Sequence, residues 1–227
     1  QEALDECHYK GGKDLLSIYC NNNPETRVFT GKLLGMGGSH FPDNPETGTF
    51  VGDVSAILME NLPAWIELIR TPDLSVALMS EWEQKIEKIA RITSREDVTN
   101  ITGVPSWTLV LLKRILEITG KSNIREVWPN LEVFIHGGVS FTPYRQQFHS
   151  LINGPMNYLE TYNASEGFFG IQDRNNAGDM LLMLDYGIYY EFIPLNEFGE
   201  QEPTPVPLFE VKTGINYAMI ISTNAGL

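Results

Sequence analysis

Only two cysteines, Cys7 and Cys20, occur in 227 residues. They are too few for a disulfide framework and lack zinc-site spacing, so they read as ordinary reduced thiols. Positive charge is scarce as well: 16 Lys and Arg stand against 29 Asp and Glu, a net charge of −13. A general nucleic-acid binder shows a basic face, which this balance disfavours, and docking on an anionic membrane is disfavoured for the same reason. An anionic ligand is a different matter, because backbone N–H groups and a metal ion hold phosphate whatever the net charge. No apolar run approaches the about 18 residues that a spanning helix needs. No signal peptide is visible. The expectation is a cytoplasmic protein with neither nucleic-acid nor membrane partners. The four histidines have no ligand spacing, and there is no Gly-x-x-x-x-Gly-Lys-Ser/Thr phosphate loop. Ser165 is not a hydrolase nucleophile elbow, since Asn163 stands where that turn needs glycine.

The length suffices for a substantial core, and 42% hydrophobic with 20% charged residues is ordinary for a globular chain. Residues 1–20 suit an amphipathic helix with Leu4, Cys7, His8, Leu15, Ile18 and Tyr19 near one side. Val28 to Met36 reads as a strand, and the His40–Gly48 run as a surface loop in which His40 is solvated. Residues 51–70 suit one or two helices broken at Pro63. Leu74 to Ile92 has the spacing of a single helix, with Glu81/Lys85 and Glu87/Arg91 paired on its wet side. Thr93 and Ser94 read as caps of a short helix that follows. Val98 to Gly103 suits a strand, and Pro105 to Thr119 a helix that Gly120 stops. That helix is apolar on most sides, so it belongs in a core, with its first turn able to face a pocket. Leu131 to Ile135 has the continuous apolar pattern of a central strand covered on both faces. Further strands are expected at Met180–Leu184, Ile188–Ile193 and Tyr217–Ser222, and an exposed proline-rich connection at 200–207. The mixture predicts an α/β fold, a layered mixed sheet flanked by helices. The chain opens inside a helix-like pattern and stops just past a strand-like run, which reads as a piece of a longer protein.

Candidate chemistry gathers between Leu131 and Phe169. Gly137 and Gly138 follow a strand and precede a helix with Thr142 as expected cap and Pro143 at its first position. Glycines there let a flat ligand lie against the backbone, although many strand-to-helix turns use them for geometry alone. A second strand, Met156 to Thr161, leads into a loop Tyr162-Asn-Ala-Ser165-Glu166-Gly167. A tyrosine ring can stack on a base, a serine hydroxyl can hold a phosphate, and a glutamate can ligate Mg²⁺. A polar loop around a buried tyrosine accounts for the same residues. His136 suits a hydrogen-bonded core position.

Three segments carry a resemblance: Gly103-Val-Pro-Ser-Trp107, Trp128-Pro-Asn-Leu-Glu-Val-Phe-Ile-His-Gly-Gly138, and Glu160-Thr-Tyr-Asn-Ala-Ser-Glu-Gly-Phe-Phe169. The sequence resembles the auxin-responsive acyl acid–amido synthetase family, in particular its bacterial members, within the adenylate-forming superfamily. The last segment matches that superfamily's Tyr-x-x-Ser/Thr-Glu motif, with Ala164 where the plant family usually has a first serine. The resemblance implies ATP-dependent activation of a carboxylic acid as an acyl-adenylate and transfer to an amine, an amino acid, with ATP and Mg²⁺ as cofactors. It implies Tyr162 against adenine, Ser165 near the α-phosphate, Glu166 on Mg²⁺, and Gly137, Gly138 and Val139 as the adenine-side turn. It makes Val104, Trp107 and Phe168 candidates for the acid pocket wall. It assigns no catalytic residue within this chain. It places residues 1–227 as a single partial domain, the middle of the large N-terminal domain, without the family's phosphate loop, ribose-binding motif and lid. Such a piece is expected to be inactive alone and to expose apolar surface. The alternatives are a non-catalytic nucleotide-binding or scaffolding domain, or an acyl-CoA-ligase-like adenylating enzyme.

Overall fold

The computed structural model describes residues 4–44, 49–175 and 177–223. Its centre is a seven-stranded sheet in the order β4-β1-β5-β6-β7-β8-β9. The strands are β1 (Lys32–Met36), β4 (Arg70–Thr71), β5 (Val98–Gly103), β6 (Val133–His136), β7 (Asn157–Ala164), β8 (Gly167–Ile171) and β9 (Leu181–Leu182). The first five in the spatial order run parallel, while β8 and β9 are antiparallel additions. As the apolar run predicts, β6 is the middle strand and is buried along its whole length. Val133 and Ile135 face one core and Phe134 the other, the alternation a pleated strand imposes.

One core lies under α4 (Trp82–Thr93), α5 (Pro105–Thr119) and α6 (Arg145–Ile152), and includes Leu112, Ile115, Trp128, Phe134 and Phe148. The Trp128 ring is fully buried, and its indole N–H donates to the Thr93 carbonyl at 2.8 Å. The other core lies under a π-helical turn (Leu4–Tyr9), α1 (Lys10–Asn22) and β10 (Ile188–Pro194). β10 pairs antiparallel with β11 (Val206–Pro207) and β12 (Tyr217–Thr223) in a separate three-stranded sheet. Glu132, the one charge in the β6 run, is explained by its partners. The Tyr19 hydroxyl donates to one of its oxygens at 2.5 Å, Thr26 donates to the same oxygen, and the Arg27 amide reaches the other at 2.8 Å. Among the described residues no helix is long and apolar enough to cross a membrane.

Several local expectations need correction. The 74–92 helix is two: α3 (Leu74–Ala77), capped by Asp73, and α4. The Ser39 hydroxyl donates to the Met79 carbonyl at 2.6 Å, pinning the intervening turn outside helical geometry. Thr93 and Ser94 end α4 rather than start a helix; the Thr93 hydroxyl bonds back to the Ile89 carbonyl. Lys85 is not on the wet face but 1% exposed. The Glu87–Arg91 pair does form, at 2.5 Å, and Arg114 joins it from α5 at 2.7 Å. The first expected strand begins only at Lys32, because Val28 to Thr30 form a turn whose Val28 carbonyl is taken by Thr99 and Asn100. The His40–Gly48 loop is partly a ribbon, β2 (His40–Asn44) against β3 (Thr49–Gly52); Pro45 to Gly48 lie outside the described residues. His40 sits half-buried at its base, 4.0 Å from Glu60. Residues 51–70 hold α2 (Val54–Glu60) and a 3₁₀ turn (Ala64–Leu68) on either side of Pro63. α6 starts at Arg145, with Tyr144 as its cap residue, because Phe141 to Tyr144 close a turn first. Thr142 and Pro143 therefore lie before the helix.

Candidate active site at the carboxyl ends of the strands

Three neighbouring parallel strands, β1, β5 and β6, end level with one another. Met36 pairs with Gly103 and Gly103 with His136, so three strand ends form one row, and β7 passes that row at Glu160, the partner of His136, and runs on to Ala164. Beyond that row come Gly37-Gly38, Val104-Pro105, Gly137-Gly138-Val139 and Thr161 to Ala164. In an open α/β sheet this edge is where ligands bind.

Close approach between neighbouring strand ends explains the glycines. A Cβ on Gly137 would lie 2.6 Å from the Thr161 carbonyl oxygen and 2.9 Å from its hydroxyl. Gly138 adopts φ +79°, and a side chain there would be 3.6 Å from the Val104 methyl. Val104 and Gly138 are thus neighbours across the edge, and Val139 beside them is exposed. α5 begins at Pro105 and carries Trp107, half-buried, against the Trp82 ring of α4 at 5.3 Å between centroids.

Tyr162, Asn163 and Ala164 belong to β7 itself, and Ser165-Glu166 form the two-residue turn into β8. The expected loop is therefore a hairpin tip, with both turn residues exposed. The Tyr162 ring is not buried: it is 48% exposed and leans on Phe169 at 5.0 Å. One open aromatic face, one hydroxyl and one carboxylate at a free turn suit a nucleotide with Mg²⁺, which takes one or two carboxylates and completes its shell with phosphate oxygens and water. The described residues hold no cluster of three or more His, Cys, Asp or Glu that could hold a metal without such help. Phe168 stands apart from Val104 and Trp107. It points into the other core, 7% exposed, 6.2 Å from the Tyr186 ring and tight against Gly11. It shares that core with its neighbour Phe169, on a strand buried at every position, and little of its ring is left open to line a pocket.

Two buried groups at this edge escape sequence reasoning. The Lys85 ammonium donates to the Gly37 and Gly38 carbonyls at 2.8 and 2.9 Å, and burial pushes its pKa down against the pull of Asp53. The signal was present: Lys85 falls on the stripe of Trp82, Ile86 and Ile89 rather than opposite it. Asp53 and Ser55 complete the clamp by accepting from the amides of Ser39 and Gly38. His136, 2% exposed, stacks on Phe141 at 4.2 Å. Burial, then the Arg145 charge, lowers its pKa to about 4. Its Nδ1 has no hydrogen-bond partner, so the hydrogen-bonded core position expected for it is only partly met.

The fold is that of a layered α/β domain, with the candidate site at the carboxyl edge of a mostly parallel sheet. Residues 2–156 match the model of the GH3 family N-terminal domain, and residues 181–227 match that of the GH3 family central domain. The chain belongs to the GH3 family. It is similar to the solved structure of GH3.15 acyl acid amido synthetase, with a TM-score of 0.76 and 13% identity, over 100% of this chain and 49% of that one. AtGH3.15 acyl acid amido synthetase in complex with 2,4-DB gives a TM-score of 0.71 at 14% identity, over 98% and 48%. Indole-3-acetic acid-amido synthetase GH3.3 of Arabidopsis thaliana is 24% identical over 169 residues, 66% of this chain and 28% of that protein. The chain thus spans about half of the solved relatives and less of the curated one.

Proposed function

We propose that these residues form the adenine and Mg²⁺ side of an ATP-dependent acid–amido ligase, as part of a larger adenylating domain. The observation that carries the reading is the exposed Ser165-Glu166 turn, with the open Tyr162 ring on the strand leading into it, at the ligand-binding edge of the sheet. Relatives named as amido synthetases of an acyl acid or of indole-3-acetic acid support a small carboxylic acid and an amino acid as substrates.

In the first half-reaction a carboxylate oxygen of the acid attacks the α-phosphorus of ATP. The bond to the bridging oxygen breaks and pyrophosphate leaves. In the second, the amine nitrogen attacks the acyl carbon, AMP departs with the bonding pair, and the amine loses a proton. Tyr162 offers its ring to adenine, and the Gly137-Gly138-Val139 backbone lies along the base. Ser165 donates to the α-phosphate, and Glu166 would hold Mg²⁺. The ion supplies charge neutralisation at the phosphates. Val104 and Trp107 face the acid. The protein's contribution is mainly positioning.

The test is acid-dependent ATP–pyrophosphate exchange by the full-length gene product against a panel of acids. Glu166→Ala is expected to lower exchange at least about 100-fold, the scale of losing a group that stabilises transition-state charge. Exchange untouched by Glu166→Ala removes the role given to that residue, and none with any acid overturns the reading. The 227 residues by themselves are expected to make no acyl-adenylate.

A further inference from the structure

The hairpin tip that bears Ser165 and Glu166 is not self-supporting. Two-residue hairpin turns usually adopt types with φ above zero at one or both central residues, because those twist with the strands. Neither Ser165 nor Glu166 has positive φ, and the register slips between Tyr162 and Asn163 just before the tip. Outside contacts must then hold this turn, and hydrogen bonds to both of its flanks come from one short element. The π-helical turn Leu4–Tyr9 buries two consecutive side chains, Cys7 and His8. His8 Nε2 lies 2.9 Å from the Ala164 carbonyl, the residue before the turn. A carbonyl only accepts, so Nε2 carries the proton and donates. The Phe168 amide, two residues past Glu166, donates to Cys7 Sγ at 3.0 Å. Both flanks of the tip are therefore gripped from the same side. Glycine also lets the helix that follows sit close to the hairpin: a Cβ on Gly11 would run into the Phe168 ring at 2.6 Å. Single π turns inside helices are uncommon and cluster at functional sites. Here the wider turn leads into α1, which rests on Phe168.

We infer that Cys7 and His8 are positioning residues that set Ser165 and Glu166 for the nucleotide, a role that rests on the function proposed above. They touch no substrate; they fix the backbone on either side of the turn that does. The expected signature is a raised KM for MgATP with little change in KM for the acid, since Val104 and Trp107 lie on other elements.

The experiment uses the full-length protein. In pyrophosphate exchange, Cys7→Ala and His8→Ala are each expected to raise the MgATP KM about 5–20-fold, the scale of one lost hydrogen bond with some loosening of the turn. His8→Gln, whose amide can still donate to Ala164, and Cys7→Ser, whose hydroxyl oxygen can still accept from Phe168, should recover most of the loss. Hydrogen exchange at the Phe168 amide, read on the same preparations, should quicken in Cys7→Ala and return with Cys7→Ser. An unchanged MgATP KM overturns the inference, and so does an equal rise in both KM values, which would mean general loosening. Glu166→Ala separates the two levels. If it abolishes exchange while His8→Ala is native-like, only the positioning role fails. If it leaves exchange intact, the role given to Glu166 fails and takes the catalytic meaning of the clamp with it.

Discussion

A lysine ammonium with 1% exposure is costly unless its protons are taken up, and at Lys85 two carbonyls of one glycine pair take them. Replacing it with methionine keeps the volume and strips both carbonyls of their donor. Each unsatisfied buried carbonyl costs about 1–3 kcal/mol, offset in part by no longer burying a charge. Lys85→Met is expected to destabilise the fold by roughly 2 kcal/mol, read as a lower urea midpoint; an unchanged midpoint would mean that water replaces the ammonium. His136 makes a pH-dependent contribution. Its ring is held neutral inside, burial lowering its pKa to about 4 from the ordinary 6.5. Between those values the unfolded chain binds more protons than the folded one, so stability rises with pH across that window. The contribution is complete above about 6.5 and is lost as the pH falls towards 4, on the order of 3 kcal/mol at most. His136→Phe, between Phe134 and Phe141, should flatten this part of the stability profile, measured by urea titration at several pH values.

At the scale of elements, glycines separate into those that serve conformation and those that serve contact. Gly120 ends α5 at φ +66° with nothing within 4 Å of a would-be Cβ. Gly120→Ala is expected to cost about 1 kcal/mol in stability, the left-handed penalty, and to leave the proposed pyrophosphate exchange as it was. Gly137→Ala instead drives a methyl into the Thr161 carbonyl, which cannot step aside without parting β6 from β7. About 1–3 kcal/mol of overpacking is expected, together with a loss of pyrophosphate exchange, since the displaced backbone belongs to the proposed adenine wall. The contrast also shows what the sequence discloses. Helix α5 was legible because Pro105, the apolar stripe and Gly120 all agree, and β6 because a short apolar run admits little else. The break between α3 and α4 was not, because it depends on Ser39, forty residues away, bonding Met79. The glycine turn and the tyrosine–serine–glutamate order could be read directly from the chain. The burial of Lys85 was legible too, from its place on the stripe of Trp82, Ile86 and Ile89, whereas the turn that precedes α6 and the grip of Cys7 and His8 on the hairpin are tertiary facts that no local pattern encodes.

Over the whole molecule two cores share one sheet, yet the surface carries a charge of −13. Such an excess destabilises a compact state through self-repulsion, and salt screens it over about 8 Å at physiological strength. Several large apolar side chains also stand open on the 181–223 segment, among them Tyr189, Phe198 and Phe209. These features predict opposite responses to pH. Lowering the pH from 8 towards the isoelectric point near 4.7 relieves repulsion, but it moves the protein into the window where His136 loses its contribution. Salt separates the two effects. Between low and physiological ionic strength at pH 8, relief worth about 1 kcal/mol should raise the melting temperature by roughly 2–4 °C. At pH 5 the same salt step should change it little, because the net charge is already small and the His136 penalty comes from burial, which salt does not screen. With repulsion gone, the exposed apolar residues should then drive association, seen as a concentration-dependent rise in scattering at pH 5 that is absent at pH 8. A melting temperature equally sensitive to salt at both pH values would show that local ion pairs, and not net repulsion, govern the response.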